Sequence, residues 1–199
     1  MNRPTEIIEA LANQKYFVSD TLISVDLAMA LKEEAVVAFR EGDFQRAAVG
    51  RVLTKRLDTK VRSDATLWWR DSPSSKAKLE YLAVMDELMA LLNPCLYLGM
   101  RSFEGHFARY DIGAFYKKHI DQHRGVGLRR LSTVLYLSDF ESGDGGELVL
   151  YDPNDQETVI ASITPRFARL ALFISEDFPH EVMPVQKPRL SVTGWLRAQ

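Results

Sequence analysis

Cysteine is almost absent. The chain has one, Cys95, among 199 residues, so no disulfide can close within it. That fits a reducing compartment, and Cys95, beside Pro94, reads as a small buried hydrophobe. Long apolar runs are missing too: none approaches the ~18 residues of a membrane-spanning helix. The opening MNRPTEIIEALANQ has neither an apolar core nor a small-residue cleavage site. The expectation is a cytoplasmic protein with no membrane partner. Charge of one sign is not in excess either. Lys and Arg total 25 and Asp and Glu 27, for a net charge of −2 and a pI near 6.1. This argues against nucleic acid as the main partner. Histidine is scarce, with 4 in the chain, so each can be weighed as a ligand.

What is present suits a globular protein: 46% apolar and 26% charged residues. The length suits one domain spanning 1–199. Residues 1–95 read as mainly helical support with a connecting loop, and 96–199 as a β core. Ile7, Ile8 and Leu11 recur at helical spacing after Thr5 as a cap. Ser24 or Asp26 is placed to cap a second helix carrying Leu27, Leu31, Ala35 and Phe39, which Gly42 ends. A third helix follows DSPSS, carries Leu79, Leu82, Met85, Leu88 and Leu92, and is expected to stop at Asn93-Pro94. The segment GRVLTKRLDTKVRSDATLWW between them reads as a strand or hairpin with a loop. From about Leu96 the segments YLGMRSFEGHFARYD, STVLYLSDF, GELVLYD, RLALFIS and RLSVTGWLR are short and rich in β-branched and aromatic residues. They suggest a jelly-roll barrel rather than βαβ units, with the helices buttressing one face.

The stretch KKHIDQH, residues 117–123, crowds polar groups that bind metals. On a strand, residues i and i+2 point the same way, so His119 and Asp121 would project together. His180, in EDFPHEVMPV, is the candidate for a third ligand. Two histidines and one carboxylate leave three positions open on a metal, the facial triad of non-haem Fe(II) oxygenases. The His-x-Asp pair alone is a weak signal, and a polar strand end competes with it. Arg189 changes the balance. Alternation puts Arg189, Ser191, Thr193 and Trp195 on one strand face and Leu190, Val192 and Leu196 on the other. An inward cation is costly without an anion, and a guanidinium suits a carboxylate. Together these describe a pocket for a small dicarboxylate that chelates metal at one end, as 2-oxoglutarate does.

From Arg62 to Arg197 the chain resembles the prolyl 4-hydroxylases of the hypoxia-inducible-factor type and their bacterial relatives. The likeness is carried by VRSDATLWW, ARYDIGAFYKKHID, STVLYLSDFESGDGGELVLY and ITPRFARLALFISEDFPHEVMPVQKPRLSVTGWLR. The resemblance implies an α+β fold, a double-stranded β-helix (jelly-roll, cupin-like) buttressed by N-terminal helices. It implies Fe(II) held by His119, Asp121 and His180, with 2-oxoglutarate and O2 as cosubstrates and ascorbate as an accessory. Arg189, helped by Tyr136, would take the distal carboxylate of 2-oxoglutarate; Thr193 would line that pocket and Trp195 would wall it. Tyr110 would face the metal and the target. Arg129 is taken as the contact to the substrate backbone, although strand parity does not decide between it and Arg130. A loop around Leu53–Lys60 would close over the substrate.

The activity implied is hydroxylation of a prolyl residue in a protein, with release of succinate and CO2, by a monomer. A translation factor is the target suggested by the bacterial branch, and oxygen sensing the setting suggested by the animal one. Two departures lie near the substrate entrance: Tyr110 to His119 is shorter than in the animal enzymes and lacks their Pro-Gly, and the chain ends soon after Trp195, without their C-terminal helix. Three other readings stand beside this one. They are the same chemistry on a small molecule or another side chain, an alkylation-repair oxygenase on nucleic acid, and a non-catalytic sensor of iron and 2-oxoglutarate.

Other residues invite plainer readings. His123 shares parity with His119 and Asp121, but a fourth protein ligand would block a position that O2 or 2-oxoglutarate needs. His106 reads as a strand-surface or supporting residue, and Glu181 as a solvated rim charge. Trp68 and Trp69 read as packing, Asp139 and Asp144 as turn formers, and RVLTKRLDTKVR as a solvated loop steering a protein substrate.

Overall fold

The computed structural model describes residues 3–47, 58–72, 74–122 and 127–198. Three helices come from the first half. The first, α1, spans Arg3–Asn13 and buries Ile7 and Leu11. Thr5 lies inside it and not at its cap, because Pro4 is accommodated in the first turn, where its missing N–H has no partner to lose. The second, α2, spans Val25–Glu41. Ser24 caps it by accepting from the Leu27 N–H, and Gly42 ends it in the left-handed region at φ 85°.

The third helix, α3, spans Lys76–Leu96 and runs past Asn93-Pro94, contrary to expectation. Proline's fixed φ is compatible with a helix, and so near the C-terminus it removes one hydrogen bond without breaking the axis. Tyr97, at φ 54°, makes the actual stop. The Asn93 side chain then pins the exit by bonding both the N–H and the C=O of Met100. Two readings are corrected here. Leu79 is 58% exposed; Tyr81, Met85, Leu88, Met89 and Leu92 form the buried stripe. Cys95, in the last turn, is exposed and not buried.

The described residues also form eleven strands, numbered in chain order: β1 Tyr16–Ser19, β2 Gln45–Arg46, β3 Ala65–Trp68, β4 Ser102–Tyr110, β5 Tyr116–His119, β6 Arg129–Tyr136, β7 Leu148–Tyr151, β8 Val159–Ile163, β9 Leu170–Ile174, β10 His180–Val182 and β11 Arg189–Arg197. The larger sheet runs β1-β9-β6-β11-β4-β3-β2 and the smaller β5-β10-β7-β8, with antiparallel pairing throughout. The first half is thus more than helical support, since β1, β2 and β3 extend the larger sheet at both edges. No helix of the described residues is long and apolar enough to cross a membrane.

The two faces of the larger sheet do different work. Leu131, Leu135, Leu190, Val192 and Leu196 turn toward the helices and join Leu31, Tyr81, Met85 and Leu92 in one core. Val134, Tyr136, Ala171 and Phe173 turn the other way and meet Leu148, Leu150 and Ile163 of the smaller sheet. The helix-facing side has one tight crossing. Gly194 of β11 pairs with Gly105 of β4, and the Phe103 ring lies over both. A Cβ at Gly194 would fall within 2.5 Å of that ring, which is wedged against Trp69 and Tyr81. Glycine in mid-strand is therefore a packing requirement. Gly194→Ala is expected to lower the unfolding free energy by about 1–3 kcal/mol in urea titration. An unchanged midpoint would show that Phe103 can move aside.

Candidate metal centre and its surroundings

His119 closes β5 and His180 opens β10, and the two are direct cross-strand partners. Each ring is oriented the same way. His119 Nδ1 lies 2.8 Å from the Lys117 carbonyl, and His180 Nδ1 lies 2.9 Å from the Phe178 carbonyl. A carbonyl only accepts, so each Nδ1 carries the proton and each Nε2 is left with a free lone pair. Those two Nε2 atoms both lie 3.6 Å from the Asp121 carboxylate. Donor atoms of His119, Asp121 and His180 all fall within 4.8 Å of one another. A neutral-imidazole pair, tautomer-locked by backbone carbonyls, with one ionised carboxylate, is a donor set that fits Fe(II).

Asp121 reaches this point by a route the strand pattern did not show. β5 ends at His119, and Asp121 sits in a bend beyond it, so alternation does not aim it. Ser132, on β6, does. Its hydroxyl donates to Asp121 Oδ2 at 2.7 Å, and Ser175 stands 2.9 Å behind it as donor to Ser132. Burial alone would raise the Asp121 carboxyl; His180, His119 and the Ser132 hydroxyl outweigh it and hold the group well below the usual carboxylate range. Burial, then His119, pushes His180 down to about 4. His123 lies outside the described residues, as does most of the loop around Leu53–Lys60. The Tyr116 ring stacks on His119 at 3.6 Å, with the Arg62 guanidinium 4.1 Å from the Tyr116 ring on an ion pair to Asp64. Sequence reasoning assigned no role to this stack.

The remaining expected residues line one face of the larger sheet. Arg189 opens β11 opposite Tyr110, the last residue of β4. It is 4% exposed, and its guanidinium stands 4.9 Å from the Tyr110 ring and 4.8 Å from the Tyr136 ring. Among the described residues no carboxylate pairs with it. Its Nε and Nη1, and the Tyr136 hydroxyl, are buried without a well-formed hydrogen bond. Burial raises the Tyr136 hydroxyl, with Arg189 pulling against it. Gly146 makes room: a Cβ there would lie 3.1 Å from Arg189 Cδ and 2.7 Å from Val185. Thr193 and Trp195 follow on the same face, and the Trp195 indole N–H is also unpartnered.

A bulge separates Arg129 from Arg130. β6 and β11 pair Leu131 with Leu196 but Arg129 with Arg197, so Arg130 is the extra residue. The slip returns Arg129 to the face of Ser132 and Trp195, where its guanidinium lies 3.5 Å from the Trp195 ring. His106 is the largest surprise. It is buried, not on the surface, with its ring tilted against Trp68 at 4.6 Å and against Trp195 at 5.7 Å.

Residues 105–197 match the profile of the 2OG-Fe(II) oxygenase superfamily. The solved structure of a prolyl-4-hydroxylase from Pseudomonas putida is similar over 98% of this chain and 100% of its own, at 33% identity and a TM-score of 0.87. The chain belongs to the 2OG-Fe(II) oxygenase superfamily and is, by class, an Fe(II)- and 2-oxoglutarate-dependent dioxygenase on a double-stranded β-helix. A prolyl hydroxylase of Trichoplax adhaerens, solved with a hypoxia-inducible-factor peptide, shares the fold at a TM-score of 0.86 and 23% identity, over 98% of this chain and 89% of its own. A PKHD-type hydroxylase of Maricaulis maris is 41% identical over 93 residues, 46% of this chain and 40% of that protein. The hypoxia-inducible factor prolyl hydroxylase of Caenorhabditis elegans is 40% identical over 86 residues, 42% of this chain and 12% of that protein. The chain thus spans less than half the length of these two curated relatives.

Burial, followed by the charges of Arg62 and Arg129, pushes the His106 imidazole down to about 3. Unfolding lets it take a proton near pH 6.5. The stability that follows from keeping it neutral is therefore complete above about pH 6.5 and lost as pH falls toward 3. Between pH 7 and 4.5 the wild type should lose about 2 kcal/mol more unfolding free energy than His106→Phe. Equal losses in urea titrations at the two pH values would contradict this.

Proposed function

We propose that the protein hydroxylates a prolyl residue of a polypeptide, using Fe(II), 2-oxoglutarate and O2. The observation that carries the reading is Arg189, a guanidinium buried among Tyr110 and Tyr136 with no carboxylate partner among the described residues, on the barrel interior that also holds the His119–Asp121–His180 cluster. A buried unpaired cation is strongly unfavourable; a small dianion binding there would offset that cost.

His119, Asp121 and His180 are the proposed iron ligands, leaving three positions for cosubstrates. Bound iron supplies O2 activation, coupled to decarboxylation of 2-oxoglutarate to succinate and CO2. Arg189 takes the distal carboxylate as a two-pronged donor, and the Tyr136 hydroxyl adds a third hydrogen bond. Thr193 lines this pocket. Trp195 walls it and excludes water from the cosubstrate. Tyr110 faces the metal and the target proline, and Arg129, turned inward by the bulge, meets the substrate backbone. One functional unit over 1–199, working as a cytoplasmic monomer, is part of the same proposal. The similarity to prolyl-4-hydroxylases supports proline as the target; a translation factor is the substrate protein we favour in a bacterial setting.

Arg189→Ala should weaken 2-oxoglutarate binding on the order of thirty-fold or more, by loss of a buried charged pair, while Fe(II) binding holds. Calorimetry with each ligand separates the two. Iron binding abolished with 2-oxoglutarate affinity intact would overturn the assignment. For the reaction itself, mass spectrometry of the host proteome with and without the gene should find proline gaining the mass of one oxygen atom. Complete absence of such a difference would sink the prolyl hydroxylase.

A further inference from the structure

One end of the larger sheet gathers arginines around Glu104. Glu104 of β4 is within ion-pair distance of Arg70 at 3.9 Å, Arg129 at 3.5 Å and Arg197 at 3.6 Å. Two of these guanidiniums are held flat by indoles. Arg70 lies 4.8 Å from the Trp68 ring and Arg129 lies 3.5 Å from the Trp195 ring, and the two indoles stack on each other at 6.1 Å. The Nε of Arg197 is buried and unpartnered, as is that of Arg130, the bulged residue next in sequence to Arg129. Arg129 and Arg197 alone carry more positive charge than Glu104 can neutralise.

The register places the cluster next to the metal centre. Trp195 is paired with Glu104 on one side and Ser132 on the other, and Ser132 is the residue that holds Asp121. Arg197, paired with Ser102 and Arg129, is the next row outward, about 7 Å along the strand. Exposure rises in the same direction: Arg189 is 4% exposed, whereas the side chains of Arg129 and Arg197 are 27% and 29% exposed. The arginines therefore stand at an open end of the face whose closed end is Arg189.

We propose that this cluster is a second anion site, which recognises a glutamate or aspartate side chain of the polypeptide substrate close to its target proline. The inference rests on the reading of the protein as a prolyl hydroxylase and names the kind of segment it prefers. Guanidiniums stacked on indoles present their N–H edges in a fixed plane, which matches a carboxylate bidentately. Glu104 keeps the arginines in place when no substrate is bound and shares them when one is. All three guanidiniums lie within 3.9 Å of the Glu104 carboxylate, a span that suits one or two carboxylates and not a run of phosphates. The net charge of −2 for the whole chain points the same way.

The test uses two fluorescent nonapeptides with one central proline, flanked by glutamates in one and by glutamines in the other. Binding is followed by anisotropy to the Fe(II)- and 2-oxoglutarate-loaded protein without O2. The glutamate peptide should bind about tenfold more tightly at low salt, as charged hydrogen bonds allow, and most of that preference should vanish in 1 M salt. Arg197→Gln and Arg70→Gln should each cut the preference severalfold, and Glu104→Gln, which leaves the arginines without their acid, should increase it. Equal affinity for the two peptides, or a preference that survives Arg197→Gln and Arg70→Gln together, overturns the site. So does a single-stranded oligonucleotide that outcompetes the glutamate peptide and loses binding in the same variants. Proline oxidation by the wild type, followed separately, reports on the underlying reading. Its absence with the charge preference intact overturns the hydroxylase and not the anion site.

Discussion

A carboxylate in the interior, between two imidazoles, sets the terms for everything near it. Taking Asp121 out of water costs several kcal/mol unless hydrogen bonds and positive charge replace the lost solvation. One replacement is visible: Ser132 donates to it, backed by Ser175. Both Nδ1 protons are committed to backbone carbonyls, and burial, then His119, pushes the His180 imidazole down to about 4. Three electron-rich atoms therefore face one another across a few ångströms. That arrangement is unfavourable empty and favourable around a divalent cation. The fold holds it in place by joining two sheets: His119 and His180 belong to the smaller one, while the serine that positions Asp121 belongs to the larger.

β11 carries the second constraint, because its two faces answer to different cores. Leu190, Val192 and Leu196 are part of the helix-backed core, and Gly194 gives up its side chain to admit Phe103. The alternate residues Arg189, Thr193 and Trp195 face the barrel interior. Strand alternation ties these sets rigidly, so packing against α3 fixes where the guanidinium of Arg189 can sit. The helices are therefore part of the site's geometry although none of their side chains enters it.

How much of this was legible in the sequence depended on whether one local rule governed each residue. β11 was readable because alternation holds along its length, and His180 because its strand emerges where the pattern predicts. Asp121 came out in the right place for an incomplete reason: it lies past the end of β5, and its position depends on Ser132, a contact between distant segments that no local pattern encodes. Arg129 and Arg130 could not be separated because a bulge resets parity, and a bulge is invisible until the partner strand is known. The strand-surface alternative for His106 failed for a related reason, leaving the supporting one. Its burial depends on Trp68 and Trp195 arriving from two other strands. Pro94 and Cys95 misled because proline's penalty is small in a last turn, and because a cysteine's usual burial is a tendency that the exposed side of α3 overrides. β1 and β2 were short enough for helical neighbours to dominate the local reading, whereas β3 lies in the segment read as a strand or hairpin.

The two ends of the β11 face also differ in what charge can accomplish there. Opposite charges a few ångströms apart interact about four times more strongly at the effective dielectric of a protein surface than in bulk water, and more strongly again as burial deepens. Arg189, almost wholly enclosed, can therefore discriminate sharply between a dianion that fills its pocket and one that does not. Arg70, Arg129 and Arg197 are wetter and already share Glu104, so each contributes little alone and salt weakens all three. Under the proposed function, strict choice of a small cosubstrate at the enclosed end and graded, screenable preference among polypeptides at the open end would follow from one gradient of burial along this face of the larger sheet.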